Sequence, residues 1–318
     1  MPKTLMCDPK LFEKDLSGQT YIVTGANSGS GFATVEQLAK QGALVIGACR
    51  RVDAAKAAFA DLDARGSVEI MELDLASLES VRKFAEAFLA KYDKLHGLVN
   101  NAGIMAVPEG KTVDGFETQF GVNHLGHFLL TELLLDTLKA SAPARIVNVS
   151  SAAHAGMMGA TAEINFDDLN YETREYNATA AYNQSKLANL LHAKELAKQL
   201  EDTGVSTFSV HPGWIRSNLV EGAFAKFMQN VVMRPFSGML GTMDWFEGAQ
   251  TTLHCLLDDD APKNSGAFYS QTSILYQNKE DKAGAWPMKS PNPIAHDEAI
   301  AEKLYETSLE MVGLTKKA

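Results

Sequence analysis

The sequence predicts an α/β fold, in which a single doubly wound parallel sheet carries helices on both faces and a helical lid covers a substrate site. Short apolar runs rich in Val and Ile alternate with longer segments whose apolar residues have helical spacing. The short runs are almost continuously apolar, as are strands buried on both faces of a parallel sheet. A glycine-rich loop at residues 24–31 joins the first run to the first helix, the place where such sheets bind nucleotides.

The predicted elements alternate along most of the chain. Six strands are predicted, at residues 19–26, 43–51, 67–75, 95–103, 144–152 and 205–213. Five helices are predicted, at residues 31–42, 78–92, 115–141, 180–202 and 297–313. In the first helix, Phe32, Val35 and Leu38 share one face and Gly42 marks the end.

One domain is expected across residues 1–318. Its cofactor-binding and catalytic core is assigned to 18–217, and 248–318 completes the sheet and adds a helix. The stretch between them, 218–247, is rich in Met and Phe and is broken by Pro and Gly. Such a surface adapts to varied apolar shapes, so we interpret 218–247 as a lid over an apolar substrate. Ordinary helical packing is the alternative.

Composition narrows the classes of partner. The 318 residues include 29 Lys plus Arg and 39 Asp plus Glu, giving a net charge of −10. This acidity argues against a nucleic-acid or anionic-membrane partner. Cys7, Cys49 and Cys255 lack the spacing of a disulfide framework or a zinc ribbon and suit a reducing compartment. Because no apolar run is long enough for a membrane span or a leader, we expect a soluble, cytoplasmic protein.

The glycine-rich loop is predicted to bind a pyrophosphate. A helix N-terminus presents unpaired N–H groups, and glycines let the backbone approach the phosphates closely. The spacing G-x-x-x-G-x-G differs from the common dinucleotide pattern G-x-G-x-x-G, and the Lys-Ser/Thr of an NTPase loop is absent. A simple tight turn is the alternative. The candidate cofactor-binding residues here are Gly25, Asn27, Ser28, Gly29, Ser30 and Gly31.

Two arginines follow the second predicted strand. NAD-specific folds usually have an acid there to bind the ribose, whereas an Arg accommodates the 2′-phosphate of NADP. Arg50 and Arg51 therefore favour NADP over NAD, and two solvated surface arginines are the alternative. Asp74 and Leu75, after the third strand, are expected at the adenine edge, although Asp74 could instead cap the next helix.

A tyrosine and a lysine, Tyr182 and Lys186, are four residues apart in a predicted helix and so share one face. A nearby ammonium group favours the phenolate and lowers the tyrosine pKa from about 10, toward the range useful for proton exchange. Ser150 and Ser151 end the fifth strand, where their hydroxyls can bind a carbonyl oxygen. A surface Tyr–Lys pair is the alternative.

An asparagine, Asn123, lies within an apolar helix, where a buried amide needs a role. It either makes a structural hydrogen bond or supports a water molecule or the lysine. His124 and His127 are three residues apart, but no Cys, His or acid cluster completes a metal site, so no metal is expected.

These motifs together resemble the short-chain dehydrogenase/reductase superfamily. The matching strings, in chain order, are TGANSGSG, DL at 74–75, NNAG at 100–103, Asn123, SS at 150–151, YNQSK and HPG. Longer strings at 114–154, 185–200, 211–219 and 247–257 resemble the retinol dehydrogenase-like branch. That branch is akin to the WW-domain oxidoreductases and, more distantly, to light-dependent protochlorophyllide reductases. The resemblance covers nearly the whole chain and implies a Rossmann sheet.

The resemblance also implies roles for single residues. Tyr182 would exchange a proton with the substrate oxygen, and Lys186 would bind the nicotinamide ribose and lower the tyrosine pKa. Ser151 would hold the substrate carbonyl beside Ser150, a neighbour of the cofactor, and Asn123 would support a proton relay through water. Further cofactor contacts are implied at Asn101, Ala102, Gly103, Pro212, Gly213, Ile215 and Ser217.

The activity implied is NADP(H)-dependent hydride transfer between nicotinamide and the carbonyl or alcohol of a bulky apolar substrate, such as a retinal-like aldehyde. NAD(H) is less expected. The alternatives are an NADP-binding scaffold or sensor with little turnover, and a protochlorophyllide-type double-bond reductase. The resemblance suggests a homodimer or tetramer through the two long helices, although the branch also contains monomers. Ser30 departs from the family, which usually has Ile or Leu there beside the nicotinamide.

Overall fold

The computed structural model describes residues 4–157, 159–215, 242–271 and 286–316. The strands within these ranges are β1 (Thr20–Thr24), β2 (Leu44–Cys49), β3 (Ser67–Glu72), β4 (Gly97–Asn100), β5 (Ala144–Val149), β6 (Val205–His211), β7 (Trp214–Ile215), β8 (Thr242–Met243) and β9 (Phe268–Ser270). Seven of them form one parallel sheet in the order β3-β2-β1-β4-β5-β6-β9. The remaining two, β7 and β8, pair with each other.

Helices connect these strands. They are α1 (Gly29–Lys40), α2 (Val52–Ala58), α3 (Leu78–Leu89), α4 (Thr118–Phe120), α5 (Gly126–Ala140), α6 (Ala178–Gln199), α7 (Trp245–Leu257) and α8 (Glu298–Met311). A π-helical turn, Gly121–Leu125, makes α4 and α5 one continuous helix. Short 3₁₀ turns occupy Pro9–Glu13, Ala152–Ala155, Ala261–Asn264 and Pro293–His296.

Each face of the sheet has its own apolar core, because successive strand residues point to opposite faces. Ile22 and Leu98 point to the face that packs against α3, α5, α6 and α8. Their neighbours Val23 and Val99 point to the other face, which packs against α1 and α7. Helices therefore cover both faces, and the predicted doubly wound sheet is confirmed.

The six predicted strands and five predicted helices are all present, but α2, α7 and β9 were not among them. The short α2 has one fully buried side chain and hence almost no apolar periodicity. A capping box at the start of α7, formed by Asp244 and Glu247, was the available sequence signal for that helix. The predicted helix over 115–141 begins at Thr118 in the structure.

Most of the predicted lid, 218–247, lies outside the described residues. Of that stretch, Thr242–Met243 forms β8 and Trp245 begins α7, and the lid itself stays a prediction.

The exposure of α6 is relevant to the predicted dimer. Every residue from Ala181 to Ala193 is buried within the chain. Part of this burial comes from α8, where the Tyr305 ring packs edge-on against Phe128 and lies near the His192 ring. The dimer or tetramer through the two long helices that the resemblance suggests stays a prediction. Within the described residues, no helix joins the length and the apolar character needed to cross a bilayer.

Candidate active site

The predicted site residues gather at the carboxyl edge of the sheet. Gly25 follows β1, Asn101 follows β4, Ser150 follows β5 and Pro212 follows β6. Parallel strands of a doubly wound sheet open a ligand crevice at this edge, so four separate chain segments contribute to one site.

The glycine loop forms a cradle at the start of α1. Gly25 and Gly29 have φ angles of +66° and +62°, which favour glycine. Ser28, at the N-cap, makes no side-chain cap, so the first N–H groups of α1 remain available to an anion. A β-carbon at Gly31 would lie 2.5 Å from the Gly25 carbonyl oxygen and from Asn101 Nδ2. This cradle fits the pyrophosphate of a dinucleotide, and a larger residue at position 31 would close it.

The hydroxyl of Ser30 has a partner that could not be seen from the sequence. Ser30 Oγ donates to Asn101 Oδ1 at 3.0 Å, and Asn101 Nδ2 donates to the Thr24 carbonyl at 2.8 Å. The Asn101 amide thus bridges both ends of the glycine loop. The residue that departs from the family pattern is a hydrogen-bonding part of the cradle.

The residues predicted to contact the adenosine differ in exposure. Arg50 and Arg51 are exposed after β2, and neither forms a salt bridge within the described part of the chain. Asp74 Oδ1 accepts the Ala76 N–H at 3.0 Å. The helix cap that was the alternative for Asp74 is instead Ser77, at the start of α3. Leu75 is buried against Gly126 of the long helix.

Tyr182 and Lys186 lie on α6 with exposed fractions of 4% and 3%. The Ser151 hydroxyl lies near the Tyr182 phenol and acts to lower its pKa. Lys186 Nζ donates to the Val149 carbonyl at 3.0 Å and lies 5.8 Å from the centre of the tyrosine ring. The predicted serine, tyrosine and lysine therefore meet at one point.

The pKa of Tyr182 moves opposite to the sequence prediction. Burial raises this pKa to about 12, and the nearby Ser151 hydroxyl only partly offsets the rise. Burial also lowers the pKa of Lys186 to about 8. Both shifts follow from desolvation, which disfavours the charged form of each group. Tyr182 consequently holds its proton at neutral pH.

Asn123 is fully buried and makes structural hydrogen bonds, the first of its predicted roles, whereas support of a water molecule or of the lysine stays a prediction. Its Oδ1 accepts the Ile104 N–H at 2.9 Å, and its Nδ2 donates to the Ile104 carbonyl and to Ser185 Oγ. The Ser185 hydroxyl in turn donates to the Tyr182 carbonyl at 2.8 Å. A β-carbon at Gly103 would lie 3.3 Å from both Asn123 Oδ1 and Lys186 Nζ. Asn123 thus holds the 101–104 turn beside the lysine.

Asn123 belongs to a polar stripe that the sequence analysis missed. Its members recur every four residues on one face of the long helix: Gln119, Asn123, His127 and Thr131. Gln119 Oε1 accepts the Ala106 N–H, and its Nε2 donates to the Ala178 carbonyl at the start of α6. Thr131 Oγ1 accepts from Asn100 Nδ2 at 2.9 Å. The stripe fixes the 100–106 backbone, and its four-residue period in an apolar helix was the available signal.

The two histidines of the long helix are bound to other groups. His127 Nδ1 donates to the Asn123 carbonyl at 2.9 Å, and its Nε2 faces Thr24 Oγ1 at 2.8 Å. His124 Nε2 pairs with Ser308 Oγ of α8. Both histidine rings therefore have structural hydrogen-bond partners, whereas their spacing alone had raised the question of a metal site.

The remaining predicted residues follow β5 and β6. Ser150 Oγ donates to the Lys186 carbonyl at 2.7 Å and so anchors the lysine backbone. Gly213 has a φ angle of +85° and packs against Met243. Ile215 lies in β7 after Pro212. The last one, residue 217, a serine, lies outside the described residues.

Comparisons with known proteins agree with this geometry. The family model described as short chain dehydrogenase matches residues 19–164. Retinol dehydrogenase 12 of Homo sapiens is 45% identical over 302 residues, which are 94% of this chain and 88% of the relative. Retinol dehydrogenase 13 of Homo sapiens is 41% identical over 306 residues, covering 94% of this chain and 86% of the relative.

Solved structures give the same result. An uncharacterized protein of Mycobacterium paratuberculosis is 34% identical, with a TM-score of 0.75, and the match covers 96% of this chain and 97% of that one. The NADP active-site complex of RhlG from Pseudomonas aeruginosa is 25% identical, with a TM-score of 0.65, over 83% of this chain and 97% of that one. This chain is thus a short-chain dehydrogenase/reductase of the retinol dehydrogenase-like branch, an oxidoreductase that acts on alcohol and carbonyl groups.

Proposed function

We propose that the protein is an NADP(H)-dependent reductase for the carbonyl group of a bulky apolar aldehyde or ketone. The observation that carries this proposal is the buried Tyr182 phenol, which keeps its proton at neutral pH and lies near the Ser151 hydroxyl. A protonated acid beside a second hydroxyl suits the reductive direction, in which the substrate oxygen must gain a proton.

In this proposal the bound nicotinamide supplies the hydride, and the protein supplies position and charge. The hydroxyls of Ser151 and Tyr182 hold the substrate oxygen, and Tyr182 donates its proton to that oxygen. Lys186, held by the Val149 carbonyl, places a cation near the phenolate that remains. Asn123 keeps the 101–104 turn against the lysine and supports the return of a proton through water.

The preference for NADP is supported by Arg50 and Arg51. Both side chains are exposed after β2, next to the glycine cradle. A guanidinium group binds phosphate through several N–H donors, and a hydrogen bond to a charged group contributes about 1.5–3 kcal/mol. Replacing both arginines with alanine should weaken NADPH binding by roughly 10- to 100-fold and leave NADH affinity nearly unchanged. Titration of both nucleotides by intrinsic fluorescence measures this, and equal losses would contradict the assignment.

The apolar substrate is supported by the names of the relatives and by the Met- and Phe-rich stretch at 218–247. A retinal-like aldehyde is the finer form of this proposal, and a cytoplasmic location accords with three buried, unpaired cysteines.

The direct test is a panel of aldehydes and ketones of increasing apolar size, with the loss of NADPH absorbance as the readout. We expect kcat/KM to rise with apolar size and short, polar carbonyls to react poorly. Tight NADPH binding without turnover on any compound would instead favour the scaffold alternative.

A further inference from the structure

The segment that follows β9 contributes to the catalytic turn. Residues 288–296, here named the C-terminal strap, carried no recognisable motif in the sequence. Met288 N–H donates to the Phe268 carbonyl, which places the strap beside β9 at the edge of the sheet. From there Ser290 and Asn292, both buried, reach the 3₁₀ turn that follows Ser151.

The fully buried His154 links the strap to this turn. His154 Nδ1 lies 2.6 Å from the Ser151 carbonyl, and its Nε2 lies 2.7 Å from Ser290 Oγ. A carbonyl only accepts, so Nδ1 carries the proton and Nε2 is the acceptor of a neutral ring. Ser290 Oγ already accepts the Asn292 N–H at 3.1 Å, and its own hydrogen is directed to Nε2. The hydrogen-bond directions are therefore fixed from the strap to Ser151.

A second tie comes from Asn292. Its Nδ2 donates to the His154 carbonyl at 2.7 Å and to the Ala162 carbonyl at 3.0 Å. Because the Ala160 carbonyl accepts from Asn183 Nδ2, the same segment also touches the residue after Tyr182. The strap thus binds the turn after Ser151 directly and is connected to Asn183, the residue after Tyr182, only through the 160–162 segment.

We propose that His154 is a positioning residue for Ser151, and that Ser290 of the C-terminal strap holds the ring in the Nδ1–H tautomer and orientation that the Ser151 carbonyl selects. The inference rests on the proposed reductase function. His154 acts through the Ser151 carbonyl, which orients the serine hydroxyl toward Tyr182. The Ser151 carbonyl also accepts the His154 backbone N–H at 3.1 Å, so loss of the side-chain hydrogen bond leaves that carbonyl with one partner and loosens the hydroxyl that holds the substrate oxygen.

Two amide substitutions separate the two ring nitrogens. In His154→Asn, the side-chain NH₂ takes the place of Nδ1–H and still reaches the Ser151 carbonyl, but the Ser290 contact is lost. In His154→Gln, the amide takes the place of Nε2, and the Ser151 contact is lost. We expect His154→Asn to keep kcat within about threefold of wild type and His154→Gln to lose about tenfold or more, with NADPH affinity unchanged in both.

A Ser290→Ala variant is the second line of evidence, because it leaves the histidine and the serine in place. We expect a fall in kcat of about threefold or more, because the ring loses one of its two side-chain hydrogen bonds, while His154 keeps the Nδ1–H tautomer that the Ser151 carbonyl requires. Nitrogen-15 NMR of labelled histidine reports this tautomer independently of activity, and the His154→Gln spectrum assigns the signal.

The outcomes separate the two proposals. A wild-type protein that reduces no carbonyl contradicts the proposed function, whatever the histidine spectrum shows. A wild-type protein with turnover, whose Asn and Gln variants lose kcat equally while their melting temperatures fall together, gives His154 a purely structural role and overturns this inference alone. An Nε2–H tautomer in the wild-type protein overturns it as well.

Discussion

The two sides of the active site are built from different chemical groups. The nucleotide side lies around Gly31 and Arg50, and the catalytic side lies around Tyr182 and Lys186. The nucleotide side is made of glycine backbone, free N–H groups at a helix end and exposed arginines. The catalytic side is made of side chains that are almost completely buried and hydrogen-bonded to one another. The difference teaches that the first side is controlled by local shape, whereas the second depends on burial and therefore on the pH and on the whole fold.

The largest expected effect is an acid transition that belongs to the catalytic side. Five fully buried histidines lie after residue 118: His124, His127, His154, His192 and His211. Burial lowers the pKa of each, to about 4 for His127 and His154 and to about 3 for His124 and His211.

Below pH 6.5 the unfolded chain binds protons at these histidines and the folded chain does not, so folding stability is lost as the pH falls toward 4. The slope is about 1.4 kcal/mol per pH unit for each histidine. We expect the free energy of unfolding in urea to fall by several kcal/mol between pH 7 and pH 5. Addition of NADPH, which we propose binds the nucleotide side, should raise the stability without changing this slope. A flat profile would show that the buried rings do not control stability.

Tyr182→Phe should have the next largest effect. Removing the proton donor should lower kcat by roughly 10³-fold, because general acid catalysis contributes about 10² to 10⁴. NADPH affinity should remain, since the nucleotide side is untouched. Tyr92→Phe is the matched control, because that hydroxyl bonds Glu69 at the opposite side of the fold. Steady-state kinetics with the best carbonyl measures the loss, and a reduction below tenfold would remove Tyr182 from proton transfer.

Gly31→Ala tests the nucleotide side alone. The new β-carbon would lie 2.5 Å from the Gly25 carbonyl oxygen, a backbone atom that cannot rotate away. We expect NADPH affinity to fall by about 100-fold while kcat at saturating NADPH stays near wild type. Calorimetric titration gives the affinity. A parallel loss of kcat would show that the two sides are not separable.

Ser30→Ala, one residue away, should have the smallest effect. It removes the hydrogen bond to Asn101 Oδ1 but adds no bulk to the cradle. A net loss of about 1 kcal/mol would weaken NADPH binding roughly fivefold. An unchanged dissociation constant would mean that the Thr24 carbonyl alone holds the Asn101 amide in place.

The same comparison explains what could be predicted from the sequence. Local patterns include the glycine loop, the two arginines and the Tyr–Lys pair. The residue spacing of each pattern directly predicts the local backbone geometry. The partners that support them are distant in the chain. Gln119 meets the start of α6, and His154 meets Ser290, through contacts that no local period shows. The predicted direction of the Tyr182 pKa shift was wrong for the same reason, since the shift depends on burial by the whole fold.

The late position of α7 in the chain has a consequence for synthesis. The sheet face formed by Val23 and Val99 is covered by α1 and α7 together, and α7 ends only at Leu257. Chains are made from the N-terminus, so the part of this face that α7 covers stays open on the ribosome long after the tyrosine and lysine have emerged. A message truncated shortly after β6 would yield a product with every predicted catalytic side chain and a partly uncovered sheet face. Such a product would be bound by chaperones or degraded by proteases, and it would not act as a smaller enzyme.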